Sequence, residues 1–354
     1  MGIINFFNRF GISVTDDILL SFASVLLPFL TVVFGYKFFI LMLTKFDLGY
    51  QPIRSDGPAS HVAKKKKVFT LGGLLIFIAM FVSSMIIYDK LSPLLVGLIL
   101  IYASNMLLGG IDDYLKLTKK DTRGVSGKQK LLFQFITTIG ILYGLMSFYP
   151  EDMTTMLMIP LFENEVDLGY AYYLFAAIVI VGSSNAVNLT DGLDGLAAYT
   201  LLPVLVFFMV IISLSDNSYM MIFGGEFLDD LKNSVYMLYI TFGAILGFLW
   251  WNSHPAKIFM GDVGSLPLGS LIGFFAVVTK SELLFVILAG IFVVESLSVI
   301  LQVYYYKMTK KRIFKMAPIH HHYELTGIKE NVLVARFFSI SVILCLLSLT
   351  LVFI

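Results

Sequence analysis

One cysteine, Cys345, in 354 residues excludes an intrachain disulfide. Charge is nearly as scarce. Lys, Arg, Asp and Glu make up 14% of the chain, well under the quarter or so of a typical soluble domain, which excludes an ordinary water-soluble globule. The net charge of +1 says nothing of partners, because the distribution of charge matters more than its sum; no nucleic acid is expected among them. No internal repeat, low-complexity tract or Pro-rich linker divides the chain, so residues 1–354 read as a single integral-membrane domain.

What is abundant is apolar. Hydrophobic residues make up 58% of the chain, and mean hydropathy is +0.87. A helix needs about 20 apolar residues to span a bilayer. Candidate segments fall near 18–43, 68–88, 93–110, 131–149, 170–188, 196–214, 234–251, 266–279, 283–306 and 333–354. The expectation is an all-α polytopic membrane protein of about ten transmembrane helices. Basic residues orient it, because cytoplasmic loops are enriched in Lys and Arg. The loops 44–67, 111–130, 252–265 and 307–332, with Arg336 just beyond, hold 20 of the 25 basic residues. The 150–169 loop holds five acids and no base. The first set of loops is therefore expected at the cytoplasmic face, with both termini extracytoplasmic.

Polar chemistry gathers in those same loops. Asp112, Asp113 and Lys116 in "DDYLK" share one helix face if the span continues helically. Adjacent carboxylates near a third acid suit a hard cation such as Mg²⁺, which takes oxygen ligands and bridges phosphates; a surface ion pair at a helix end is the plainer alternative. In "NAVNLTDGLDG", Asn185, Asn188, Asp191 and Asp194 recur every third residue, which over one α-helix drifts by roughly 180°. Gly192 and Gly195 instead suggest a helix that ends in a tight loop, turning Asp191 and Asp194 toward a ligand. "FMGDVGS" sets Asp262 between two glycines, and "HHHYE" places His320, His321 and His322 together in an internal loop. Neutral imidazoles can donate to phosphate oxygens. Lys128 and Lys130 open the fourth segment, where the phosphate of a membrane-borne substrate would lie. Glu295, inside the ninth, is the residue that best suits a rival reading as an ion-coupled transporter, and 283–306 is long enough to bend there.

These motifs carry a resemblance. "DDYLK", "SGKQKLLFQ", "NAVNLTDGLDGLA", "WNSHPAKIFMGDVGSLPLG", "VESLSVILQV" and "MAPIHHHYELTG" run in order over most of the chain. Together they resemble the phospho-N-acetylmuramoyl-pentapeptide-transferase family, a branch of the polyprenyl-phosphate N-acetylhexosamine-1-phosphate transferases. The resemblance implies a Mg²⁺-dependent transfer of phospho-MurNAc-pentapeptide from UDP-MurNAc-pentapeptide to undecaprenyl phosphate, giving lipid I and UMP. It implies a multi-pass protein of the bacterial inner membrane, working as a homodimer, with an active-site cleft at the cytoplasmic face. Carried over by motif, Asp112 and Asp113 look like the pair near the lipid phosphate, Asp262 like the metal ligand, and Lys116 and Lys128 like phosphate contacts. Asn188, Asp191, Asp194, Asn252 and Phe259 look like nucleotide-pocket residues, and His321 and His322 like essential histidines, with His320 beside them. One stretch departs from the family. Where the family reads K-x-G-T-P-T-M-G-G, this chain reads "KKKKVFTLGG", so Thr70 matches while the nucleotide-side lysine is Lys64 or Lys65.

Overall fold

The computed structural model describes residues 16–46, 68–119, 124–150, 154–159, 164–214 and 225–353. Lys64 and Lys65 lie outside them. The described chain is almost wholly helical: α1 Asp16–Lys45, α2 Gly72–Ile87, α3 Pro93–Lys119, α4 Gly127–Met146, α5 Ala171–Thr190, α6 Leu196–Ser213, α7 Gly225–Asn252, α8 Asp262–Val278, α9 Glu282–Leu288, α10 Gly290–Thr309, α11 Ile319–Glu324 and α12 Glu330–Phe353. Eight of these, α1, α3 to α7, α10 and α12, are long and apolar enough to cross a membrane. α2 and α8 are shorter apolar helices of 16 and 17 residues. They match the second and eighth expected segments.

Lipid leaves a helix no water for its polar groups, so each must be satisfied inside the fold. Hydroxyls do this locally. Ser24, Thr31, Thr190, Thr200 and Thr241 each donate to the carbonyl four residues earlier, at 2.7–2.8 Å. α8 is the axis of the bundle, with every residue from Asp262 to Val278 buried. It packs against α5 and α3. Phe208 of α6 packs in a tilted pair on Phe275 of α8, which is itself edge-on to Phe274, and all three are fully buried.

Side-chain contacts sort the helix ends into two sets. At one end, Tyr88 donates to the Asn233 carbonyl at 3.2 Å and Tyr149 to Asp230 at 2.5 Å. There Lys280 also donates to the Thr154 carbonyl at 3.1 Å. The other end gathers the C-termini of α3, α5 and α7 with the N-termini of α4 and α8, as a chain that crosses back and forth requires.

Two features were not expected. The acidic 150–169 loop contains an antiparallel hairpin, β1 Met156–Ile159 with β2 Asn164–Asp167. Asp167 closes it by accepting from the Gly169 N–H and the Thr155 hydroxyl, and both bonds hold its carboxyl below the usual range. The ninth segment does not bend at Glu295. It breaks at Ala289, between α9 and α10, and Glu295 sits within unbroken helix.

Candidate active site

Three aspartates and two lysines form the centre. α3 carries Asp112, Asp113 and Lys116, one helical turn apart, so all three project from one face. α4 starts at Gly127, with the Ser126 hydroxyl accepting from the Gln129 N–H as its N-cap. That start fixes the phase that sends Lys130 inward. α8 brings Asp262 as its first residue. The three carboxylates offer oxygens that all lie within 4.8 Å of one another. They are 0%, 1% and 8% exposed for Asp112, Asp113 and Asp262, so water does little to separate their charges.

The lysines offset that repulsion. Lys116 Nζ lies 2.6 Å from Asp112 Oδ2, 3.1 Å from Asp262 Oδ2 and 3.8 Å from Asp113 Oδ1. Lys130 Nζ lies 2.8 Å from Asp262 Oδ2 and 3.0 Å from Asp112 Oδ2. Three carboxylates against two ammonium groups leave a formal charge of −1 (2 − 3). Burying such a cluster is costly. Removing one partner from a buried pair commonly costs about 3–5 kcal/mol, because the other charge stays behind.

Each acid is also aimed. Asp113 Oδ2 accepts the Val263 N–H at 3.0 Å, so it caps α8 from a different helix. Gly261 permits this approach, since a Cβ there would sit 2.6 Å from that same oxygen. Asp112 Oδ1 accepts the Val125 N–H at 2.5 Å, tying the α3–α4 connection to the site. Asn188, in the last turn of α5, donates at 2.9 Å to Asp262 Oδ1 and at 2.8 Å to Ser265 Oγ.

A polar floor lies beneath. Gln134 donates to Asn105 Oδ1 at 2.7 Å and to Ser184 Oγ at 2.9 Å, and it accepts from Asn185 at 2.8 Å. Ser184 passes a further bond to the Leu266 carbonyl at 2.8 Å. Asn105 precedes Asp112 by seven residues, about 10 Å along a helix. One bonded layer therefore ties α3, α4, α5 and α8 together just below the charges.

The other expected residues divide into groups. Thr70 is buried beside Gly261. It belongs to the stretch whose bridge, Phe69 to Ile258, and Gly72 and Gly73 N–H groups hold the 258–260 backbone. Phe259 is half-buried there. Asn252 is buried and donates to the Ile258 carbonyl at 2.8 Å, so it closes its own loop. α5 does end at Thr190 in a tight turn, with Gly195 at φ 80°. In that turn, Asp194 Oδ2 lies 3.0 Å from His254 Nδ1 and accepts the Ala256 N–H at 3.1 Å. Glu330 accepts the Asp194 N–H at 2.7 Å. Asp194, His254 and Glu330 thus form a second group of possible metal ligands.

The histidines split three ways. His320 is fully buried against Glu295, His321 Nδ1 lies 3.2 Å from Glu324, and His322 Nδ1 accepts the Lys315 N–H at 3.1 Å. Lys128 is exposed. Lys130, which the sequence sets with Lys128 at the start of the same segment, sits in the ion-pair cluster.

The buried acid–lysine cluster thus lies where helix ends of the bundle meet. The sequence family described as Glycosyl transferase family 4 matches residues 94–280, from the second residue of α3 to the turn after α8. Fold and match define the class: a glycosyl transferase built into a membrane. The chain is 44% identical over 333 residues to a phospho-N-acetylmuramoyl-pentapeptide-transferase of Wolbachia pipientis wMel, covering 91% of this chain and 97% of that one. It is 43% identical over 306 residues to the protein of that description from Rickettsia rickettsii (strain Sheila Smith), covering 85% and 83%. The chain belongs to the phospho-N-acetylmuramoyl-pentapeptide-transferase family.

Proposed function

We propose that this protein transfers phospho-MurNAc-pentapeptide from UDP-MurNAc-pentapeptide to undecaprenyl phosphate in the bacterial inner membrane, releasing UMP. The observation that carries the reading is the convergence of Asp112, Asp113 and Asp262 with Lys116 and Lys130 at one end of the bundle. A donor set of hard carboxylate oxygens with a formal charge of −1 fits Mg²⁺. Asp113 Oδ1, which is buried and makes no hydrogen bond among the described residues, is an acceptor with capacity to spare. Asp262 is the ligand we assign first, with Asp112 and Asp113 beside it. When bound, Mg²⁺ would supply neutralising charge to the diphosphate.

In this reading the reaction is a single displacement. A phosphate oxygen of the lipid bonds to the sugar-bearing phosphorus as the diphosphate P–O bond breaks, and UMP leaves. Both reactants are anionic, so the protein's work is to screen charge and hold the groups in line. Lys116 and Lys130 can turn from carboxylate to phosphate oxygens across short distances. Asp113 is positioned to accept any proton left on the lipid phosphate. Asn188 holds Asp262 at one oxygen. Asp191, Phe259 and the Asp194–His254 pair face the nucleotide, and Lys64 or Lys65 is the nucleotide-side lysine of this reading. His321 and His322 close the sugar side.

UMP release from UDP-MurNAc-pentapeptide in detergent, with undecaprenyl phosphate, is expected only when Mg²⁺ is present. Equal turnover with UDP-GlcNAc, or turnover in chelator, would refute the assignment. The two lysines of α4 give a sharper test. Lys130→Met should cut turnover by about 10²-fold or more, the scale of losing one preorganised group at developing charge. Lys128→Met should change it by only about threefold, the scale of an exposed ion pair. The reverse order would return the phosphate contact to Lys128.

A further inference from the structure

Glu295 has no part in the chemistry above, yet it is a carboxylate at 0% exposure inside a membrane helix. Its Oε2 lies 3.0 Å from His320 Nδ1, and the His320 backbone N–H points to the same oxygen at 3.5 Å. Both side chains are fully buried. Among the described residues, neither Glu295 Oε1 nor His320 Nε2 makes any hydrogen bond. A pair that leaves two buried polar atoms unbonded costs stability, so stability alone does not account for it.

We infer that Glu295 is a positioning residue: its carboxylate holds His320 as the Nδ1–H tautomer and thereby seats the triple-histidine helix against the Asp191–Asp194 turn. The tautomer follows from chemistry, since a carboxylate accepts and a neutral imidazole carries one proton. With the proton on Nδ1, Nε2 is an acceptor, and it faces the turn. A Cβ on Gly192 would overlap His320 Nε2 and meet Cε1 at 2.8 Å, so only glycine lets ring and turn come this close. The ring is also 4.2 Å, centroid to centroid, from that of His321. Rotating His320 would therefore displace two elements, α11 with His321 and His322, and the backbone between Asp191 and Asp194. Glu295 reaches this point from α10, which packs on α5, the helix that leads into the turn. The arrangement is that of an outer carboxylate orienting a histidine, applied to substrate-binding elements instead of a metal.

Two measurements test this on the full-length protein in detergent. The first does not depend on the proposed reaction. With ¹⁵N-labelled histidine, His320, identified by the resonances lost in His320→Gln, should show a protonated Nδ1 and a bare Nε2. Glu295→Leu should shift the proton toward Nε2. An Nε2–H tautomer in the unaltered protein, or no change on Glu295→Leu, would overturn the inference. The second is kinetic and rests on the proposed transfer. Glu295→Leu should lower kcat by about 10–100-fold, the usual effect of removing an orienting partner, and Glu295→Gln should recover part of it. In the Glu295→Leu/His320→Gln double variant, the loss should stay within about twofold of His320→Gln alone, because both act through one ring. Losses that multiply would mean independent roles and would sink the proposal. If the unaltered protein released no UMP, the reaction would be wrong, and the tautomer would still decide the fate of the pair.

Discussion

Asp262→Asn should reduce UMP release by about 10³-fold or more while the protein folds and enters the membrane normally. In the proposed function Asp262 is both a metal ligand and the anchor of the lysine cluster, and removal of a single charge-stabilising group already costs about 10²–10³. Asparagine is nearly isosteric, so the bond from Asn188 and the start of α8 have room to persist. What disappears is the charge between Lys116 and Lys130, which lie 3.1 and 2.8 Å from Asp262 Oδ2. Two lysines would then face two carboxylates, and the formal charge of −1 that favours a divalent cation would fall to zero (2 − 2). A second expectation follows: raising Mg²⁺ should not restore the variant. Turnover near that of the unaltered protein would remove Asp262 from the site. Thermal unfolding in detergent separates this from misfolding, since only activity should collapse.

Gly109→Val should be nearly as damaging by a different route. A Cβ at Gly109 would overlap the Asp262 carbonyl oxygen and lie 2.5 Å from its carbon and 2.7 Å from Val263 N. All three atoms are backbone, so no rotamer relieves the clash. α3 and α8 would have to separate by an ångström or more, and the carboxylates of Asp113 and Asp262 would separate with them. Overpacking typically costs about 1–3 kcal/mol, more where backbone cannot yield. A one-ångström misplacement of reacting groups can itself cost about 10²-fold in rate. The expectation is a lower melting temperature together with turnover reduced by at least about 10²-fold. Gly110→Val is the control, because its Cβ would meet only the Val263 side chain, at 3.6 Å. Equal effects at both positions would argue against the close approach.

The site's members were legible in the sequence to different degrees, for physical reasons. Asp112, Asp113, Asn188 and Asp262 stood out because polar groups beside apolar runs are costly and need a purpose. Lys128 and Lys130 were legible only as a pair, since two residues along a helix turn the side chain through about 200° and which of them faces inward depends on where Ser126 caps α4. His254 and Glu330 look like ordinary loop and helix-start residues until the fold brings them to Asp194. Asn252 reads as a ligand by its motif, and the fold adds a bond from its amide N–H to the Ile258 carbonyl of its own loop. The β1–β2 hairpin is hard to read in the sequence because four-residue strands carry little periodicity; its one signal is a 20-residue connection, long for a compact protein. The break at Ala289 has no proline to announce it, whereas Pro28, Pro203 and Pro267 all lie inside continuous helices. Breaks and phases are set by neighbours, and a single sequence does not display its neighbours.

The Lys116–Asp112 pair is local to one helix, which bears on the order in which the site can form. Asp262 follows Asp112 by 150 residues, so when α3 first meets the bilayer, α8 has yet to be made. Lys116 needs no later helix to reach Asp112, for the two are four apart on the same one. That ion pair needs nothing beyond α3, whereas the pairs to Asp262 need α8 as well. The cluster is half assembled within one helix and closes only once the last of its acids has been added.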